Sequence, residues 1–165
     1  MNSNFNPLSS EELVSRINKI PRIRLAQLPT VLEYAPNISK ELNINLYIKR
    51  DDCTALAFGG NKTRHLEFIM AKTLSGEYDC ILTGAASQSN FCRQAVAAAN
   101  KLNLDSYLVL MHGVKGKLMQ GNFLLYNILG ANVDVVDGEN LEDIPKHLDK
   151  KYDELIKEGR KPLLI

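Results

Sequence analysis

The chain has 165 residues, 45% of them hydrophobic and 24% charged, the size and mixture of an ordinary folded domain with a core rather than a disordered polymer. Twenty Lys and Arg against nineteen Asp and Glu leave a formal charge of +1. With no basic cluster and no interleaved aromatic stripe, no nucleic-acid partner is expected. No uncharged apolar run approaches bilayer-spanning length, and "MNSNFNPLSSEELVSRINKIPR" lacks a signal-peptide core or a twin arginine, so a cytoplasmic protein without a membrane partner is expected.

Ser9 with Glu12 fits a capping box for a short helix that must end before Pro21. An irregular stretch follows. "INLYIKRDD", residues 44 to 52, alternates apolar and polar with β-formers and reads as a strand running into an acidic turn. After the "FGGN" turn, Leu66, Ile69, Met70 and Leu74 recur at helical steps from Lys62 to Leu74, and Gly76 supplies the stop. Then "CILTG", "SYLVLM", "NVDVVD" and "PLLI" recur as strand-like segments at intervals of about thirty residues, the length of a βαβ unit.

The gaps hold helices: "SNFCRQAVAAANKL", "KLMQGNFLLYNIL" closed by Gly130, and "PKHLDKKYDELIKEG" with Pro145 in its first turn. Near-continuous apolar strands alternating with helices predict an α/β fold, a parallel sheet with helices on both faces. Cys53, Cys80 and Cys92 show no C-x-x-C spacing, so no disulfide framework and no metal site is expected, and all three read as small buried hydrophobes.

In such sheets ligands bind beyond the carboxyl ends of the strands. The loop after the first strand of the series, "GAASQSN", places Gly84, Ser87, Gln88, Ser89 and Asn90 directly before a helix, where free backbone N–H groups and the helix dipole favour a carboxylate or phosphate. A serine here also serves as a plain N-cap, and the sequence supports either role. The second candidate is Lys62, set by Gly-Gly-Asn at a helix N-terminus that disfavours its charge. A neutral amine there, helped by Arg64 and partial burial, would attack an aldehyde or imine carbon, whereas a surface lysine running off the first turn is the plainer alternative. A phosphate-loop motif would need glycines where Leu56 and Asn61 stand, and no G-x-G-x-x-G follows a strand.

"IKRDDCTALAFGGNKTRHLEF", "GAASQSNFCRQAVAAANKL", "YLVL" and "GNFLLYNILGANVDVV" resemble the pyridoxal-phosphate enzymes of the D-cysteine desulfhydrase and 1-aminocyclopropane-1-carboxylate deaminase family. The resemblance runs from about Arg24 to Ile165. Its specific part is the pair "GGNK-T-R" and "QSN-x-x-RQ" in this order. It implies the tryptophan synthase β-like fold (pyridoxal-phosphate fold type II), a three-layer parallel sheet with helices on both faces. It also implies pyridoxal phosphate as cofactor, joined to Lys62, which later moves the substrate's α-proton. Asn90 matches the asparagine that hydrogen-bonds the cofactor's 3-oxygen, and Ser89 the serine beside the substrate. Gln88, Ser89 and Asn90 match the grip on the substrate carboxylate. Phe91 stands where such enzymes commonly carry His or Gln.

The family's glycine-rich phosphate cradle, pyridine-nitrogen partner and catalytic tyrosine lie in a second half, so the chain is expected to be an incomplete, N-terminal half. Residues 1-77 are expected to contribute to the larger cofactor domain, and 78-165 to form a smaller parallel α/β domain cut at its C-terminal end. The expected activity is that of a lyase or deaminase on a small amino acid, releasing ammonia, or sulfide, ammonia and pyruvate. The whole protein is expected to be a homodimer or to pair with a complementing C-terminal half, and the 165 residues alone to be inactive. The alternative is a non-catalytic half-fold module that binds or assembles with a separate partner.

Overall fold

The computed structural model describes residues 7–112, 118–136 and 141–165. Four parallel strands, β3 (Cys80–Ala86), β4 (Asp105–Met111), β5 (Asn132–Val136) and β6 (Pro162–Leu164), lie in the order β5-β4-β3-β6. Between them run α4 (Asn90–Lys101), α5 (Gly121–Ile128) and α6 (Ile144–Lys157). The predicted β-helix alternation is therefore present. Asp137, at the end of the predicted third strand, and Lys117, at the start of the predicted helix before it, lie outside the described residues. That helix begins only at Gly121, because Gln120 is still extended with φ −146° and ψ 168°.

Alternate residues of the central strands feed opposite faces, as strand geometry requires. Ile81, Leu108, Leu110 and Leu163 pack beneath α4 and α5, whereas Leu82 and Val109 pack against Leu155 of α6. The sheet is thus covered on both sides, which is how a parallel sheet keeps its apolar strands from water.

The first 79 residues add α1 (Ser10–Ile17), β1 (Leu32–Tyr34), α2 (Pro36–Leu42), β2 (Tyr47–Lys49) and α3 (Lys62–Ile69). Ser9 caps α1 by accepting from the Glu12 N–H at 3.1 Å, but the Glu12 carboxylate pairs with Arg16 instead of closing the box. The stretch read as irregular holds β1 and α2. Strand β1 pairs antiparallel with β2, and α2 opens on Pro36 and ends at Asn43 in the left-handed region with φ 53°. The helix after Lys62 is α-helical only to Ile69, with a 3₁₀ turn from Met70 to Ser75 before Gly76 stops it at φ 73°. Leu66 and Met70 of this region share the core of Ile81, Ala95 and Leu163, so α3 is packed on α4.

Glu67 is fully buried beside them and anchors the N-terminal segment. Its carboxylate accepts from the Leu25 and Ala26 N–H groups at 2.9 and 3.0 Å and from Arg22. Burial pushes its pKa up, but these donors outweigh it and hold the carboxyl below its ordinary value. No helix among the described residues is long and apolar enough to cross a membrane, and none of their His, Cys, Asp and Glu clusters can hold a metal ion.

Candidate active site

Lys62 is the first residue of α3, as its turn chemistry predicts, and is partly buried. Among the described residues its amine makes no hydrogen bond and no ion pair. The Arg64 guanidinium is occupied elsewhere, holding Asp51 at 2.7 and 2.8 Å and the Thr30 hydroxyl at 3.1 Å, so its charge is paired. That pairing in turn keeps the Asp51 carboxyl below the usual carboxylate range.

The turn before Lys62 is a run of left-handed backbone: Ala55, Ala57, Phe58, Gly59 and Gly60 have φ of 73°, 45°, 68°, 74° and 133°. Such a run costs energy at its non-glycine members and persists only where the surroundings over-determine it. Here they do. The buried Thr54 hydroxyl accepts from the Gly60 N–H and donates to the Gly60 carbonyl, both at 2.9 Å. A Cβ on Gly59 would meet the Asp52 carbonyl at 1.8 Å, and one on Gly60 would meet the Gln94 amide nitrogen at 2.4 Å. Both glycines are required by close approach as well as by φ.

At the carboxyl end of β3 the predicted polar loop divides its tasks. Ser87 is buried and structural, its N–H donating to the Met111 carbonyl at 2.8 Å. Ser89 is the N-cap of α4, its hydroxyl accepting from the Cys92 N–H at 3.2 Å. Its carbonyl accepts from the hydroxyl of Tyr126 at 2.7 Å. The Gln88 side-chain amide is committed to the start of α5, donating to the Gln120 carbonyl at 3.0 Å and accepting from the Asn122 N–H at 2.9 Å. What Gln88 leaves free, among the described residues, is its backbone N–H. Asn90 is exposed, and its side-chain oxygen accepts from Asn122 at 3.0 Å, leaving its amide NH₂ without a partner among the described residues. Phe91 packs against the core shared by α3 and α4.

The two sequence motifs are locked together by residues that the motifs contain but to which the sequence reading gave no role. Thr63, next to Lys62, donates to the fully buried Gln94 at 2.6 Å. Arg93 donates to the Gly59 carbonyl at 2.9 Å and to the Asn122 side-chain oxygen at 3.0 Å. Arg93 and Gln94 thus hold the turn that carries Lys62 against the helix that carries Ser89 and Asn90. A visible signal existed: two long polar residues stand side by side in a helix otherwise rich in alanine.

Of the three cysteines, Cys80 and Cys92 are fully buried, and burial pushes their thiols up to about 12 and about 11. Cys53 departs from the buried-hydrophobe expectation. It sits exposed in a 3₁₀ turn, its sulfur 3.6 Å from an Asp52 carboxylate oxygen.

Residues 23–165 match the family described as "Pyridoxal-phosphate dependent enzyme". The chain belongs to that family, whose cofactor is pyridoxal phosphate. It is 39% identical over 155 residues to a protein of Pyrococcus horikoshii provisionally named 1-aminocyclopropane-1-carboxylate deaminase, covering 93% of this chain and 46% of that one. It is 36% identical over 156 residues to a D-cysteine desulfhydrase of Klebsiella pneumoniae, covering 92% and 47%. Among solved structures it superposes on an ACC deaminase homologue with a TM-score of 0.85 at 40% identity, over 93% of this chain and 46% of the other. Threonine deaminase isoform 2 of Solanum lycopersicum, at 21% identity and a TM-score of 0.66 over 94% and 43%, shares the fold. That fold is the type II architecture the sequence resembled, and the chain spans less than half the length of these relatives.

The residues present fit one end of the cofactor. Lys62 offers an uncommitted amine for its aldehyde carbon and Asn90 an uncommitted N–H donor for a neighbouring oxygen, on two elements bound to each other through Arg93 and Gln94.

Proposed function

We propose that Lys62 and the start of α4 form the amine-bearing half of the active site of a pyridoxal-phosphate lyase or deaminase acting on a small amino acid. The D-cysteine desulfhydrase and aminocyclopropane-carboxylate deaminase chemistries are the two candidates. The observation that carries this reading is the interlock of Gly59, Thr63, Arg93 and Gln94, which holds both motifs together while leaving the Lys62 amine and the Asn90 NH₂ free among the described residues.

Bound there, the cofactor supplies an electron sink for bonds at the substrate's α-carbon. With D-cysteine, Lys62 then takes the proton at that carbon; 1-aminocyclopropane-1-carboxylate carries no hydrogen there, and with it Lys62 moves a proton at a neighbouring ring carbon. The free N–H groups at the start of α4, with Gln88 acting through its backbone rather than its amide, hold the substrate carboxylate. Ser89 presents its hydroxyl beside the substrate while capping the helix, and Asn90 donates to the cofactor.

We further assign residues 1-77 to a larger cofactor domain and 78-165 to a smaller one. Among the described residues, Leu25 is the one buried hydrophobic before Leu66, while Leu13, Leu32, Tyr34, Tyr47 and Ile48 stand exposed. Surface of this kind favours cover by further protein, from the same chain or a complementing one. That cover is also the specific support for the alternative, a module that assembles without catalysing. On either reading the 165 residues alone are inactive, and the whole protein acts in the cytoplasm, as a homodimer if one chain holds both halves.

The test is an assay of the holoenzyme with D-cysteine and with 1-aminocyclopropane-1-carboxylate, reading sulfide and ammonia. Release that Lys62→Ala abolishes without loss of fold supports the enzyme. Turnover surviving Lys62→Ala, or cofactor-loaded protein that releases neither product, would contradict it.

A further inference from the structure

Asn122 lies on α5, far in sequence from both motifs, yet it is only 9% exposed and every polar atom of its side chain is used. Its oxygen accepts from Arg93 at 3.0 Å, and its NH₂ donates to the Gln88 carbonyl at 2.8 Å and to the Asn90 side-chain oxygen at 3.0 Å. The orientation of this amide is dictated from both sides. A guanidinium can only donate and a backbone carbonyl can only accept, so the oxygen of Asn122 must face Arg93 and its nitrogen must face the loop. The nitrogen of Asn122 then selects the oxygen of Asn90. By elimination, the group that Asn90 turns outward is its NH₂.

We infer that Arg93 and Asn122 are positioning residues that polarise Asn90, fixing it as a hydrogen-bond donor toward an anionic oxygen of the bound cofactor. This rests on the pyridoxal-phosphate reading above. The relay runs from a donor-only residue through two amides, each forced by the last, and without it Asn90 presents either end at similar cost. The same guanidinium holds the Gly59 carbonyl at 2.9 Å, so one side chain sets both the turn before Lys62 and the polarity of the donor across from it. Tyr126, fully buried and bound to the Ser89 carbonyl, holds the helix start in register beside it.

The test uses the holoenzyme and reads the pH at which the cofactor's visible band changes, not turnover. A donor stabilises the deprotonated oxygen, so losing it raises that midpoint. Asn90→Ala is expected to raise it by about one pH unit, the scale of a single hydrogen bond. Asn122→Asp keeps the acceptor for Arg93 but offers only oxygen to Asn90, which must turn its NH₂ inward and its oxygen outward. A rise at least as large is expected.

The deciding measurement is the double variant Asn90→Ala with Asn122→Asp. If Asn122 acts through Asn90, the second substitution adds nothing to the first. Additive shifts would mean that the new charge acts through space and would overturn the proposal, as would an unchanged midpoint in Asn90→Ala or in Asn122→Asp. Should Asn122→Asp fail to fold, Asn122→Ala in the same two backgrounds reads the same coupling. A wild-type protein that shows no visible band with pyridoxal phosphate would refute the cofactor reading itself, and the proposal with it, a result distinguishable from additivity.

Discussion

The Thr63 hydroxyl donates to the side-chain oxygen of Gln94 at 2.6 Å, and neither residue is accessible to water. Thr63 follows Lys62, and the Gln94 nitrogen lies where a Cβ of Gly60 would stand, 2.4 Å away. The lysine is therefore set from below, by the same helix whose start carries Ser89 and Asn90.

Substitution in the turn should follow that geometry. Gly76→Ala faces open space and is expected to cost about 1 kcal/mol for its left-handed backbone alone. Gly60→Ala must displace a buried amide as well, for about 2 to 3 kcal/mol. Gly59→Ala drives a Cβ into the Asp52 backbone carbonyl at 1.8 Å and should be the most damaging. Urea unfolding of the three variants checks the order, and equal midpoints would show that the turn is not held as described.

Glu67 gives a pH dependence with a definite sign. Its folded pKa lies below the ordinary 4.5, so its stabilisation is present above that value and is lost as pH falls through the lower, folded one. Stability should drop in acid, and Glu67→Gln should flatten that drop while costing about 2 to 4 kcal/mol at neutral pH, since it leaves Arg22 with a neutral partner. Denaturant midpoints between pH 3 and 7, roughly the span of carboxylate titration, measure both effects. A parallel pair of curves would rule Glu67 out.

The cap seen at Ser89 and the role proposed for it beside the substrate separate experimentally. Loss of the cap in Ser89→Ala should cost about 1 kcal/mol of stability. Ser89→Thr keeps the cap, so its stability should stay close to that of the native protein, while its added methyl beside the substrate lowers turnover. Native turnover in Ser89→Ala would leave Ser89 as a cap only.

The strands of the central sheet and the helices between them were legible because apolar segments and helices alternate at intervals of about thirty residues, which marks even the three-residue β6. Strand β2 lies inside the alternating stretch 44 to 52 that reads as a strand, whereas β1, three residues and exposed throughout, gave no such signal, and Ala35 offers α2 no side-chain cap. The placement of Lys62, Ser89 and Asn90 at helix starts was readable from local turn and helix-start chemistry. Arg93 and Asn122 were not, because their meaning lies in hydrogen bonds spanning 29 and 34 residues. Gln88 was read correctly as a polar loop residue, but its amide is turned to the α5 backbone, a partner that only the folded chain supplies.

Thiol reactivity offers a simple check of the core. Cys53 is exposed, while Cys80 and Cys92 are buried with thiols raised to about 12 and about 11. A disulfide reagent at pH 8 should modify Cys53 quickly and the other two only on unfolding. Rapid labelling of Cys92 would mean that α4 does not pack as described.

The central claim is that Lys62 is the residue that carries the cofactor. Borohydride reduction of the holoenzyme followed by tryptic mapping tests it most directly. A lysine carrying the reduced cofactor resists trypsin, so the label is predicted on the peptide spanning residues 51 to 64, uncut at Lys62. Label on any other lysine, or reduced protein that carries none, would contradict the account.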